Sequence, residues 1–188
     1  NVAIIGETGS GKTSLAKLFM EFYSPDKGHI YVDGAELQNF EVQEIRKAVV
    51  YVSQEDFLFT ASVRENLKMG NEEISDEEMI EISRKMGVHQ FVSKMERAYD
   101  SVLEERGKNL SKGQRQKLSL TRAILRHPKI LILDEATSNM DSISEREILN
   151  YIKGIRDITL ILISHRINVI ADSDCIYVLQ KGNIVARG

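Results

Sequence analysis

Cysteine, proline, tryptophan and long apolar runs are scarce or missing in this sequence of 188 residues, which has one Cys, two Pro and no Trp. With Cys175 alone, no internal disulfide can form, which fits a reducing compartment. No stretch approaches the roughly 18–20 apolar residues that cross a bilayer, and no signal peptide is recognisable. A basic excess is also missing, because 28 acidic and 25 basic residues give a net charge of −3. We therefore expect no nucleic-acid partner.

The composition is that of an ordinary globular domain, with 42% hydrophobic and 28% charged residues. Short apolar runs, such as "VAII" at 2–5 and "ILIL" at 130–133, alternate with segments of helical periodicity. This alternation predicts an α/β fold with a mostly parallel sheet flanked by helices. The tail, 175–188, predicts a hairpin that turns at 181–183. Both termini adjoin apolar strands, so we interpret the chain as a piece of a longer one.

A phosphate-binding loop is predicted near the start. "GETGSGKT", Gly6–Thr13, matches the pattern G-x-x-x-x-G-K-[ST] and stands between a strand and a helix. Lys12 is expected to reach the β- and γ-phosphates, and the Thr13 hydroxyl to ligate Mg²⁺. The predicted nucleotide-binding residues are Gly6, Glu7, Thr8, Gly9, Ser10, Gly11, Lys12, Thr13 and Ser14. The guanine-reading pattern N-K-x-D is missing, which argues against a GTPase.

Polar residues that follow three other strands supply candidates for metal binding and catalysis. Asp134 and Glu135 end the run "ILILDE", where the Asp is expected to help hold Mg²⁺ and the Glu to orient or deprotonate the attacking water. His165 stands just beyond the strand "LILIS", beside the same predicted phosphates. Gln54 follows "VVYVS" and could reach either Mg²⁺ or the attacking water.

A second anion site is predicted at "NLSKGQRQKLSLTRAIL", Asn109–Leu125, where a polar turn enters a helix. Helix starts gather free backbone N–H groups and the positive end of the helix dipole. One small domain needs only one phosphate site for its own nucleotide, so the second site requires an explanation.

Taken in order, these motifs resemble the nucleotide-binding domain of an ATP-binding cassette (ABC) transporter of the exporter type. The residues that carry the resemblance are "GETGSGKT", Gln54, "LSKGQ" at Leu110–Gln114, "LDEA" at 133–136, "SNMD" at Ser138–Asp141, and His165. The resemblance implies a P-loop NTPase core with an inserted helical subdomain. It implies a nucleotide-binding core at 1–56 and 115–188, truncated at both ends. The helical subdomain would then be 57–114, ending in the signature motif.

The resemblance also explains the second anion site. In this family two domains pack head to tail around two ATP molecules, so Ser111, Gly113 and Gln114 would contact the ATP held by the partner copy. It implies ATP and Mg²⁺ as cofactors, hydrolysis of ATP coupled to transport, and transmembrane domains as further partners. The domain would lie at the cytoplasmic face of a membrane, as a homodimer or a heterodimer.

Two departures from the family pattern and two alternative functions stay open. Glu104–Asn109, "EERGKN", resembles the exporter loop that contacts transmembrane domains, although Gly is usual at Glu104. Lys112 stands where Gly is commoner, and its side chain either points to solvent or adds a contact to the partner's ATP. The alternatives are a soluble ABC ATPase of DNA repair, chromosome organisation or translation, and a phosphate-loop kinase.

Overall fold

The short apolar runs of the sequence form strands in the computed structural model, which describes residues 1–55 and 57–188. Within these residues the strands are β1 (Val2–Ile5), β2 (Tyr31–Val32), β3 (Ala35–Glu36), β4 (Val49–Val52), β5 (Ile130–Asp134), β6 (Thr159–Ile163), β7 (Cys175–Gln180) and β8 (Asn183–Arg187). The α-helices are α1 (Lys12–Phe19), α2 (Val42–Ala48), α3 (Val63–Lys68), α4 (Asp76–Lys85), α5 (His89–Val92), α6 (Lys112–Leu125), α7 (Ser142–Lys153) and α8 (Ile167–Ile170). Short 3₁₀ turns lie at Leu37–Asn39, Ala98–Asp100 and Glu105–Gly107.

The chain divides into two units, which are described separately. The sheet unit comprises Asn1–Tyr51, Pro128–Glu135 and Asp157–Gly188. The helical unit comprises Val52–His127 and Ala136–Arg156.

A six-stranded sheet with the strand order β4-β5-β6-β1-β7-β8 organises the sheet unit. β5, β6, β1 and β7 pair in parallel, whereas β8 runs antiparallel to β7. The register aligns Asp134 with Ile163, and Ile163 in turn with Ile4. The residues that follow these strands therefore emerge at one edge of the sheet. The predicted α/β class with a mostly parallel sheet is confirmed.

The strands are nearly continuous apolar runs because both of their faces are buried. On β5, for example, Leu131, Ile132 and Leu133 are all at most 2% exposed, although successive side chains point to opposite faces. One face carries the core formed with α1 and α2. Its buried members are Ile4, Ala16, Met20, Leu37, Ile45, Val49, Ile132, Ile163 and Leu179.

Two tight hairpins belong to the same unit. The chain from Tyr31 to Glu36 forms both β2 and β3, because Asp33 and Gly34 turn it with positive φ angles of 50° and 80°. The predicted hairpin in the tail is confirmed: β7 and β8 are joined through Lys181 and Gly182, which have φ angles of 47° and 79°. Positive φ at both central residues is the geometry that matches the twist of paired strands.

Helix starts in the helical unit are fixed by capping side chains. Each cap accepts a hydrogen bond from the backbone N–H three residues later, and such a cap contributes about 1 kcal/mol. The pairs are Ser62 with Glu65, Ser75 with Glu78, Ser111 with Gln114, and Asp141 with Ser144. The cap at Asp141 makes α7 begin at Ser142.

The proposed domain boundaries stay a prediction. The compact units group 115–127 and 136–156 with the helical segments, whereas the resemblance assigned those residues to the nucleotide-binding core. The predicted boundary at residue 56 lies outside the described residues. Among the described helices, none combines the length and the apolar character needed to cross a membrane.

Candidate functional site

Two glycines shape the phosphate loop between β1 and α1, for different reasons. Gly11, the residue before α1, has φ 101°, a left-handed conformation that favours glycine. At Gly6 the reason is space, because an added Cβ would collide with the main-chain carbonyl oxygen of Leu179. The same Cβ would lie 2.7 Å from the Ser10 hydroxyl. The loop can therefore keep this path only with glycine at both positions.

The β7–β8 hairpin supports the phosphate loop. The Gly182 N–H, in the hairpin turn, donates to the carbonyl oxygen of Ser10 at 2.9 Å. The Leu179 side chain is buried in the core, and one of its methyl groups would lie 3.7 Å from a Cβ at Gly11. The loop pattern does not predict this support, because the contacts come from a hairpin about 170 residues later in the chain.

Lys12 points into the loop. The side chain is 8% exposed, and its Nζ donates to the carbonyl oxygens of Gly6 and Glu7, both at 2.8 Å. The Ser10 hydroxyl lies 3.4 Å from the same nitrogen. A buried ammonium needs such acceptors. Phosphate oxygens would be stronger partners than these neutral groups because they are charged.

Asp134 accepts two hydroxyl donors on a single carboxylate oxygen. The Thr13 Oγ1 donates to Asp134 Oδ2 at 2.6 Å, and the Tyr51 hydroxyl donates to the same oxygen at 2.9 Å. Asp134 is 7% exposed. Burial, reinforced by the hydrogen bond to this carboxylate, raises the pKa of the Tyr51 phenol above its ordinary value of about 10, so the hydroxyl keeps its proton. Two of the three residues predicted to bind metal, Thr13 and Asp134, are therefore brought together.

Glu135 and His165 form the next pair along the same edge. Glu135 Oε1 lies 3.1 Å from His165 Nδ1, and the two side chains are 27% and 63% exposed. The Glu135 backbone has φ 52°, which is costly for a residue with a side chain, and its N–H donates to the carbonyl oxygen of Ile163 at 2.9 Å. Strain of this kind is common at active sites, because it aims a side chain in a direction that a relaxed backbone would not allow.

The donors and acceptors of the sheet unit fit Mg²⁺ bound to a nucleotide polyphosphate. Mg²⁺ in such sites is held by one or two carboxylates, a hydroxyl and the phosphates themselves, and it does not need a cage of protein ligands. Asp134 and Thr13 supply that carboxylate and that hydroxyl. No group of three or more His, Cys, Asp or Glu side chains able to hold a metal ion occurs among residues 1–55 and 57–188.

The signature segment belongs to the helical unit, where it starts α6. The Ser111 hydroxyl accepts from the Gln114 N–H at 3.2 Å, and the Gln114 side-chain oxygen accepts from the Ser111 N–H at 2.9 Å. This reciprocal cap occupies both side chains. The N–H groups of Lys112 and Gly113, in the first turn of α6, have no intrahelical partner by geometry and remain for an anion.

Gly113 has a structural reason to be glycine in addition to the predicted approach of a phosphate. A Cβ at this position would lie 3.1 Å from the carbonyl oxygen of Asn139. Gln116, a residue that the motif does not include, holds the same segment. Its side-chain oxygen accepts from the Asn139 N–H at 3.0 Å, and Gln116 is fully buried. The burial of this amide is visible only in the structure, and no motif of the sequence indicates it.

A cavity of about 690 Å³ opens beside the signature segment. Lys94 and Lys112 stand on its wall together with Lys117, whose ammonium donates to the Ser144 hydroxyl at 2.9 Å. Lysine ammonium groups and the start of α6 make this surface suited to an anion.

The predicted site residues thus fall into two groups. Lys12, Thr13, Asp134, Glu135 and His165 follow neighbouring strands of the sheet unit and lie at its carboxyl edge. Ser111, Gly113 and Gln114 lie in the helical unit. Gln54 also belongs to the helical unit, two residues after the end of β4, and its side chain is exposed.

Comparison with known proteins identifies close relatives. The family model described as "ABC transporter" matches residues 1–138. The chain is 43% identical over 187 residues to the heterocyst differentiation ATP-binding protein HepA of Nostoc sp., covering 99% of this chain and 31% of that protein. It is 39% identical over 188 residues to the mitochondrial iron-sulfur clusters transporter ABCB7 of Oryzias latipes, covering 100% of this chain and 25% of that protein.

Among solved structures, a bacterial Atm1-family ABC exporter with ATP bound superimposes with a TM-score of 0.95 at 34% identity. The match covers 100% of this chain and 33% of that chain. The chain thus spans about a third or less of the length of these three relatives.

Proposed function

Because the chain belongs to the ABC transporter family, we propose that it binds ATP with Mg²⁺, hydrolyses ATP to ADP and phosphate, and thereby drives transport across a membrane. The observation that carries the proposal is the arrangement at one sheet edge. There the Lys12 ammonium lies inside the phosphate loop, the Thr13–Asp134 pair supplies metal ligands, and the Glu135–His165 pair supplies a base. A loop alone would support binding, whereas the two pairs also support hydrolysis.

Binding is assigned to the phosphate loop. Lys12 would exchange the carbonyl oxygens of Gly6 and Glu7 for phosphate oxygens, and the N–H groups at the start of α1 would hold the remaining charge. Thr13 and Asp134 would hold Mg²⁺, which neutralises the charge that builds up on the phosphates. The Thr13 hydroxyl can keep donating its proton to Asp134 while its lone pair faces the metal.

Hydrolysis is assigned to Glu135. Its carboxylate would take a proton from the attacking water as the new P–O bond forms and the bond to the ADP oxygen breaks. His165 restrains that carboxylate through its Nδ1, and in its doubly protonated form it would also donate a hydrogen bond from its second ring nitrogen to the γ-phosphate. Gln54 is proposed to help by contacting the metal or the attacking water.

The signature segment is proposed to serve a second copy of this domain or a homologous one. The free N–H groups of Lys112 and Gly113, with Ser111 and Gln114, would contact the ATP held in the partner's phosphate loop. The cavity beside them, with its lysines, suits a phosphate brought by another molecule. ATP would then join two domains head to tail, and hydrolysis would release them.

Transmembrane domains are proposed as the other partner, which would place the chain at the cytoplasmic face of a membrane. Phe57 and Phe59 are 52% and 41% exposed, with their rings in an edge-to-face contact at 4.8 Å. Val102 is 60% exposed, in the segment that leads to the Glu105–Gly107 turn. Exposed aromatic and aliphatic groups of this kind mark protein contact sites.

The experiment that tests the proposal compares Glu135→Gln with the wild-type chain. Loss of the base should leave ATP binding intact and lower turnover by roughly 10²–10⁴-fold. The uncleaved γ-phosphate should also hold the dimer closed, so sedimentation should show ATP-dependent dimers. Glu147→Gln, an exposed glutamate on α7, is the control and should behave as wild type. Full turnover in Glu135→Gln would remove this residue from the mechanism. No Mg²⁺-dependent ATP hydrolysis by the wild-type chain would contradict the proposed activity.

A further inference from the structure

Asp134 shares one of its oxygens between two donors, and only one of these donors has another proposed role. Thr13 and Tyr51 both donate to Asp134 Oδ2, at 2.6 and 2.9 Å. Thr13 is itself a proposed ligand of Mg²⁺, so its position depends on the metal. Tyr51 belongs to none of the nucleotide-binding motifs of the sequence.

Tyr51 is well placed for a fixed role. It lies on β4, which is the direct neighbour of β5 in the sheet, and Asp134 is the last residue of β5. Its ring is partly buried and packs against the apolar core that includes Ile4 and Ile132. The phenol is therefore anchored by packing, and its hydroxyl reaches the carboxylate from a rigid strand.

A carboxylate at the end of a strand has a soft terminal torsion, so its oxygens are not fixed by covalent geometry. A hydrogen bond to one oxygen fixes the direction of the other. Groups that hold a metal ligand in this way typically account for about 10–100-fold in metal affinity.

We propose that Tyr51 is a positioning residue for the metal-binding carboxylate, holding Asp134 Oδ2 so that Oδ1 faces Mg²⁺ bound to the nucleotide. The inference rests on the proposed function, since it presupposes that Asp134 faces the metal of an Mg²⁺–nucleotide complex. In this role Tyr51 acts through Asp134, to which its hydroxyl donates.

Tyr51→Phe tests this role, because it removes one oxygen atom and keeps the ring in the core. The measurements are the binding of a fluorescent ATP analogue as Mg²⁺ is titrated, the same binding in EDTA, and the thermal unfolding midpoint. The Mg²⁺ concentration for half-maximal binding should rise about 10-fold. Binding in EDTA should stay at the wild-type value, since the phosphate loop is untouched, and the unfolding midpoint should fall only by what the loss of one hydrogen bond accounts for.

Two further variants separate the possible outcomes. Tyr177→Phe, on β7 of the same sheet, removes a phenol oxygen away from Asp134 and should not change the Mg²⁺ requirement. Asp134→Asn should raise the Mg²⁺ concentration for half-maximal binding more than Tyr51→Phe does. A wild-type Mg²⁺ requirement in Tyr51→Phe, with Asp134→Asn impaired, would overturn the role of Tyr51 alone. If the wild-type chain showed no Mg²⁺-dependent binding, the metal site and the role of Tyr51 would both be wrong.

Discussion

The carboxylate of Glu135 and the imidazole of His165 lie 3.1 Å apart, although 30 residues separate them in the chain. The contact arises because each residue follows a strand, and the two strands, β5 and β6, are parallel neighbours whose ends are in register. The Glu135 N–H also donates to the last residue of β6. The sheet therefore aims both side chains at one point, and the strained Glu135 backbone holds its carboxylate there.

His165→Ala should slow hydrolysis and leave ATP binding intact. The substitution removes the contact with Glu135 and the proposed donor to the γ-phosphate, and one such donor is worth on the order of 10² in turnover. The measurement is steady-state hydrolysis together with equilibrium binding of ATP. His29→Ala is a matched control, because His29 also pairs with a glutamate, Glu36, at 2.6 Å on the surface. Equal losses in the two variants would show that the effect is not specific to the site.

Gly6→Ala should weaken ATP binding. The added methyl group would collide with the carbonyl oxygen of Leu179, so either the phosphate loop or the β7–β8 hairpin must move. Overpacking of this kind costs about 1–3 kcal/mol, which corresponds to roughly 5–150-fold in affinity if the loop yields. The measurement is ATP affinity, with thermal unfolding recorded beside it.

Gly28→Ala provides the comparison for Gly6→Ala. Gly28 has φ 83° and open space around its Cα, so alanine there adds backbone strain without a collision. A small loss of stability and an unchanged ATP affinity are expected. Unaltered affinity in Gly6→Ala would mean that the hairpin does not determine the path of the loop.

The motifs of the sheet edge could be predicted from the sequence, because each is a fixed pattern that follows an apolar strand. The loop around Lys12, the strand ends at Asp134 and His165, and the α/β class needed only strand periodicity and local spacing. The match to transporters also favours the transporter interpretation over a soluble ABC ATPase. The bounds of the nucleotide-binding core and of the helical subdomain stay a prediction.

The supporting contacts could not be predicted. Tyr51, Leu179 and Gln116 act through partners between 23 and 173 positions away, and no local pattern specifies such pairs. In the sequence, Tyr51 cannot be distinguished from other strand residues, and Leu179 cannot be distinguished from other core residues. The hairpin at β2–β3 could not be predicted either, because two-residue strands are too brief to show a period.

The stability of the helical unit should depend on the charge of Asp76. Hydrogen bonding to Lys68, at 2.8 Å, and to Arg64 lowers the pKa of this carboxyl below its ordinary value of about 3.9. A lowered pKa in the folded state means that the stabilisation is present above about pH 4 and is lost as the pH falls through the folded value. Asp76→Asn should therefore lower the free energy of unfolding at pH 6 and have less effect in acid.

Urea unfolding at several pH values measures the effect of Asp76→Asn. Glu77→Gln removes a charge from the same first turn of α4 without breaking these two ion pairs, so it is the matched control. The free energies of unfolding of Asp76→Asn and the wild type should converge as the pH falls. If they do not converge, the effect of the substitution does not come from the ion pairs.

Substitutions at Lys112 and Gly113 in the signature segment should have different effects on turnover. If the segment acts through backbone N–H groups, the Lys112 side chain is dispensable, and Lys112→Gly should change turnover by less than about threefold, under ~1 kcal/mol. A larger loss would assign the ammonium a direct contact with the partner's ATP. Gly113→Asp adds bulk 3.1 Å from the Asn139 carbonyl oxygen and a negative charge facing the predicted phosphate. It should abolish turnover, while each copy still binds ATP at its own phosphate loop.

Mixing Gly113→Asp protein with Lys12→Ala protein tests whether the sites are shared. Lys12→Ala alone should lose ATP binding, whereas Lys17→Ala, in the last turn of α1, should not. In a mixed head-to-tail dimer, one composite site carries both substitutions and the other carries neither. Turnover should therefore partly return when the two inactive proteins are combined, since the unaltered site pairs a functional phosphate loop with a functional signature segment. Sedimentation with one protein labelled must show that mixed dimers form.

If mixed dimers form but turnover does not recover, two explanations remain. Either the signature segment does not act on the partner's ATP, or hydrolysis requires both composite sites to be functional. A mixed dimer of the wild-type chain and a chain that carries both substitutions separates these two explanations. If sites are shared, each composite site has one functional and one substituted element, so the dimer should be inactive. If sites are not shared, the wild-type chain keeps a complete site and should hydrolyse ATP.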